Sequence, residues 1–230
     1  MKKHTLLSDI AVFLLIFFLF IVPPFFASAL SGQTGSLFDG WQFPWRQILL
    51  AITGGLILLF YYEKTDDVKV AQAGVGKMFN VWRQLIVFPV VFTFGMLFAI
   101  SLMCRFLAEI TGLFDGDFVV SKPSGLLQWA FCLVYFLTAA FFEEVLYRFY
   151  FTDELLILVT RKKVWRGSRI LCEIAGLLCF AFAHFYMGWI SVLNAALAHL
   201  ILRLCYKKSG RLWPCVAAHF AYNVISLILL

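Results

Sequence analysis

The chain is built from a series of apolar runs, each about 18 to 25 residues long, with short charged clusters between them. Wound as an α-helix, a run of that length crosses the roughly 30 Å hydrocarbon core of a bilayer. Residues 10–22 illustrate the pattern, being apolar at every position without alternation. A membrane β-barrel strand instead alternates polar and apolar residues over about 10 positions, so barrels are excluded. The expected fold class is all-α, a polytopic membrane protein. Composition agrees, because 63% of the 230 residues are hydrophobic and only 14% are charged, against about 25% charged in a soluble domain.

Seven spans are expected, at about residues 8–30, 44–62, 84–106, 126–146 with a continuation toward 159, 170–186, 189–205 and 212–230. The excess of 19 Lys and Arg over 13 Asp and Glu does not imply nucleic acid, since the basic residues gather at the ends of apolar runs, where they set topology. With a cytosolic N-terminus, Lys2, Lys3, Lys64, Lys69, Lys77, Arg83, Arg161, Lys162, Lys163, Arg166, Arg169, Arg203, Lys207, Lys208 and Arg211 all fall inside. Arg46, Arg105 and Lys122 fall outside, and Arg148 is left within a membrane segment. A cleavable signal peptide ending at Ala27-Ser28-Ala29 is weighed against a retained first helix, and the retained helix is preferred. The six cysteines lack the paired spacing of a zinc site and read as buried free thiols. With neither repeat nor linker, 1–230 reads as a single integral membrane domain, generic up to 125 and motif-bearing from 126.

Ionisable side chains in membrane helices are costly unless paired or hydrated, so each is a functional candidate. Three clusters qualify. The first is Glu143-Glu144 with Arg148, where Glu144 and Arg148 lie four apart on one helix face and can pair, while Glu143 points about 100° away. The second is Phe180 to His184, and the third is His219 with Asn223, again four apart on one face. An isolated His199 reads as a helix-to-helix hydrogen bond. Asp153 and Glu154 read as an interfacial helix end, Trp41, Trp45, Trp129 and Trp213 as an aromatic belt, and Gly54-Gly55 as a close helix contact.

Glu143-Glu144-x-x-x-Arg148, Phe180-x-x-x-His184 and His219-x-x-x-Asn223, in this order, resemble the three motifs of the CAAX protease and bacteriocin-processing (CPBP) family, intramembrane peptidases related to type II CAAX prenyl endopeptidases. The run Ser209-Gly210-Arg211-Leu212-Trp213-Pro214 is similar to the family's Gly-x-Leu-Trp-Pro approach to the third motif. The resemblance covers residues 126–230, and Phe149 departs from it, standing where many members have glycine after the motif arginine.

The resemblance implies that Glu143 and His184 activate water and that Glu143 returns the proton to the leaving amine. His219 and Asn223 would stabilise the oxyanion, with Glu144 and Arg148 in support. It implies no cofactor. A zinc alternative would take Glu143, His184 and His219 as ligands. The partner expected is a membrane-associated peptide or protein substrate, in a bacterial cell membrane. A non-proteolytic scaffold or bacteriocin-immunity-like protein is the rival from another class. A proton-coupled transporter is disfavoured because the polar residues crowd into one half rather than two inverted repeats. Counted along upright helices from their cytosolic ends, His219 lies about 10 Å deep and His184 about 20 Å, so tilted or broken helices are needed to bring them level.

Overall fold

The computed structural model describes residues 6–26, 42–72, 87–112, 121–161, 165 and 167–229, with the side chains of 62–72 excepted. Among them there is helix and no strand. The elements are α1 (Leu6–Ile16), continued by a π-helical turn Phe17–Ile21 and a 3₁₀ turn Pro23–Phe26, then α2 (Trp45–Gln72), α3 (Val87–Thr111) and α4 (Leu126–Glu143). A π-helical segment Glu144–Phe151 leads from α4 into α5 (Thr152–Thr160), followed by α6 (Ser168–Phe182), a 3₁₀ turn Phe185–Met187, α7 (Trp189–Ser209) and α8 (Trp213–Leu229).

Among the described residues, four helices are long and apolar enough to cross a membrane: Leu6–Phe26, Val87–Thr111, Leu126–Thr160 and Trp189–Ser209. Trp45–Tyr61 and Trp213–Leu229 are shorter apolar stretches. Each expected span therefore finds a helix, but length and hydropathy single out four rather than seven. The fifth expected span ends early: α6 is 15 residues long and carries Arg169 and Glu173. Large apolar side chains such as Leu126 (91% exposed) and Leu7 (78% exposed) face outward, as suits helices that meet lipid. Lys2, Lys3, Ala27 to Ala29, Trp41, Lys77, Arg83, Lys162, Lys163 and Arg166 lie outside the described residues.

The chain forms two compact units, one of residues 1–35, 101–118 and 151–199 and the other of 36–100, 119–150 and 200–230. The division at 125/126 thus marks where the motifs begin in sequence, and both units draw on both sides of it.

In the first unit α1 packs against α5, and α5 against α6. Asp9 of α1 is buried and pairs with Arg161 at 2.8 Å, while Phe13 and Phe17 stack on Phe151 with ring centroids 5.5 and 6.0 Å apart. Glu154 is 2% exposed, so its side chain is turned into the protein. Gly176 of α6 lets the Thr152 hydroxyl approach, since a Cβ there would collide with it.

In the second unit α4 packs against α2 and α8. Gly54 makes the first contact close: a Cβ would meet the Phe142 ring at 3.3 Å, whereas Gly55 faces open space. Cys132, Phe136 and Leu227 form the apolar centre of the α4–α8 contact, flanked by Trp129, Tyr135, Phe220 and Val224. Lys122 donates to the Ile228 carbonyl at 3.3 Å, which makes the two helices antiparallel and puts the approach to α4 at the same end as the close of α8. Gly210, at φ +64°, ends α7 with its N–H on the Tyr206 carbonyl at 2.9 Å, a conformation that favours glycine. Pro214 then sits in the first turn of α8, where a missing N–H costs nothing. All six cysteines are free, and five of them are buried.

Candidate active site

The first motif lies where α4 changes its winding. The N–H of Glu144 is shared between the carbonyls of Ala140 and Phe141, and from there the helix runs in π geometry to Phe151. Such segments are rare and concentrate at functional sites. Every residue from Glu144 to Thr152 is buried, so this turn is enclosed by protein on all sides.

Glu144 and Arg148 pair as their spacing predicts, with Nε of Arg148 3.2 Å from Oε2 of Glu144 and both side chains fully buried. The other oxygen of Glu144 takes a second partner: Nδ1–H of His219 donates to Oε1 at 2.8 Å. With Nδ1 on Glu144, Nε2 of His219 faces Oε2 of Glu143 at 3.9 Å. That oxygen is buried and has no hydrogen-bond partner among the described residues, although the Glu143 side chain as a whole is 30% exposed. Arg148, Glu144, His219 and Glu143 therefore form one chain of charged and polar groups. Glu144, expected only to support Glu143, acts directly on His219. Asn223 lies one turn beyond His219 on α8 and is half-buried.

His184 belongs to the first unit. It stands in the turn after α6, at φ −99° and ψ 5°, the sparsely populated bridge region where many active-site residues sit. Its backbone N–H goes to the Ala181 carbonyl at 3.0 Å, and its ring caps Phe180, with Nδ1–H donating to that carbonyl at 2.8 Å. The last carbonyls of a helix lack intrahelical partners, which is why this one is open to the ring. A carbonyl only accepts, so a neutral His184 presents the lone pair at Nε2. The rings of His184 and His199 both pack near that of Phe180, with centroids 4.7 and 5.6 Å away. His199 is 1% exposed, as a histidine packed within the helices would be.

One residue beside these groups, Arg203, escaped the sequence reading, and another, Phe149, was noted there only as a departure from the motif. Arg203, counted among the cytosolic charges, is 5% exposed and donates from Nη1 to the backbone carbonyl of Arg148. Phe149 is buried edge-on to Tyr61 and Tyr206, with centroids 5.2 and 6.4 Å apart, so the ring in place of a glycine fills space between helices. Among the described residues, no group of three or more His, Cys, Asp or Glu stands as a candidate metal site, and the zinc alternative is left to experiment.

Fold and site define an all-helical membrane protein with a buried carboxylate–histidine centre. Residues 125–225 match the family model described as type II CAAX prenyl endopeptidase Rce1-like, a stretch that contains Glu143, Glu144, Arg148, His184, His219 and Asn223. The match supports CAAX-type intramembrane protease chemistry in general terms. No curated protein and no solved structure gives a significant match.

Proposed function

We propose that this protein is an intramembrane endopeptidase that hydrolyses a peptide bond of a membrane-associated protein or peptide with water activated by Glu143 and His184. The observation that carries the reading is the chain from Arg148 through Glu144 to His219, facing Glu143, within a stretch that matches an endopeptidase family. Glu143, acting with His184, takes one proton from water as the water oxygen attacks the carbonyl carbon. The negative charge that forms on the carbonyl oxygen is met by His219 and by the Asn223 amide. Glu143 then gives its proton to the leaving amine, restoring the carboxylate.

Each role has its support in local chemistry. A base needs a lone pair, and the Phe180 carbonyl keeps that of His184 at Nε2. A donor to an oxyanion works best when held in place beforehand, and Glu144 holds the His219 ring through Nδ1, as the acid of a hydrolase triad orients its histidine. The protein is read as one integral membrane domain with a cytosolic N-terminus in a bacterial cell membrane, acting without a metal. The test compares protein termini in membranes from cells expressing the native chain or Glu143→Gln, with and without a zinc chelator. Termini that need Glu143 and survive chelation are expected. Termini lost on chelation would replace the metal-free scheme with a zinc enzyme, and identical termini with both proteins abundant would favour the scaffold reading.

A further inference from the structure

We infer that Arg203 and Tyr206 of α7 form a clamp on the Arg148–Phe149 peptide that holds the π-helical segment in the register the site requires, making Arg203 a positioning residue of the site. The two residues lie three apart on one face of α7. The Arg203 guanidinium donates to the Arg148 carbonyl and lies over the Tyr206 ring, its Cζ 5.6 Å from the centroid. That same ring meets Phe149 edge-on at 6.4 Å. One face of α7 therefore grips two consecutive residues of the segment, by the main chain of the first and the side chain of the second.

A π-helical segment needs such a grip. Rewinding the segment to α geometry would rotate Arg148 relative to Glu144. The bond from Arg203 to the Arg148 carbonyl ties this turn of backbone to α7 and opposes that rotation. The effect is transmitted because Arg148 binds one oxygen of Glu144 at 3.2 Å and His219 binds the other at 2.8 Å.

The inference rests on the peptidase reading only for its activity arm. The direct probe is His219 itself, by ¹⁵N and ¹H NMR of histidine-labelled full-length protein in lipid nanodiscs, where the Nδ1–H donated to Glu144 gives a downfield proton assigned by its loss in His219→Gln. Arg203→Met is expected to shift or broaden that resonance and to reduce Glu143-dependent termini by about 10- to 100-fold, the cost of a small misplacement in an active site. Arg203→Lys, which keeps the charge but not the fork, is expected to lie between Met and native in both readouts. Should Arg203→Met fail to accumulate, Tyr206→Leu removes the ring beneath the guanidinium and is expected to move the same resonance. A His219 resonance unchanged in the variants that fold overturns the clamp, whatever the termini show. A shifted resonance in a protein whose native form yields no Glu143-dependent termini upholds the clamp and removes the peptidase reading.

Discussion

Glu144 occupies a position where each of its oxygens has a different task, one paired with Arg148 and one accepting from His219. Removing one member of a fully buried ion pair strands the other charge, at a cost of about 3–5 kcal/mol. Arg148→Leu is therefore expected to lower the thermal midpoint in detergent sharply. The double variant Glu144→Met with Arg148→Leu should recover much of that loss, because no lone charge is left, yet remain inactive because His219 has lost its orienting oxygen. A double variant as unstable as the single one would contradict the pairing. The Glu144–Arg148 contact is legible in the sequence, since residues four apart share a helix face. The bond from Glu144 to His219 is not, because it joins residues 75 positions apart and periodicity says nothing about which helices meet. Arg203 was hidden by its company, as Lys207, Lys208 and Arg211 follow so closely that the whole group reads as a cytosolic charge cluster.

At the scale of elements, close helix contacts decide what the site can tolerate. Gly54→Leu should force α2 from α4 against the Phe142 ring and cost about 1–3 kcal/mol by overpacking, whereas Gly55→Leu, facing open space, should leave the thermal midpoint close to native. Equal effects from the two would refute the contact. In the first unit, Gly176→Ala is expected to destabilise by collision with the Thr152 hydroxyl, and adding Thr152→Ala should reverse most of the loss, a coupling that a double-mutant cycle measures. The apolar runs of the sequence locate the helices well because hydrocarbon admits few alternatives. The π winding at Glu144–Phe151 and the early end of α6 before His184 are invisible to the same reading. Both concern how a helix terminates its hydrogen bonds, and apolar content is the same either way.

For the molecule as a whole, a membrane protease must combine a greasy exterior with an interior polar enough to manage water. The exterior follows directly from composition, and the buried Arg148–Glu144–His219 chain lies within the stretch that matches the endopeptidase family. Most of the site was legible as residues, through three short motifs on apolar helices, but not as geometry. The most direct measurement uses membranes from cells expressing the native chain or Glu143→Gln, incubated in H₂¹⁸O, with mass spectrometry of the peptide termini that appear. Hydrolysis by activated water predicts new C-terminal carboxylates that carry ¹⁸O with the native protein and are absent with Glu143→Gln. The same labelled termini in both membranes, with both proteins folded and equally abundant, would contradict it.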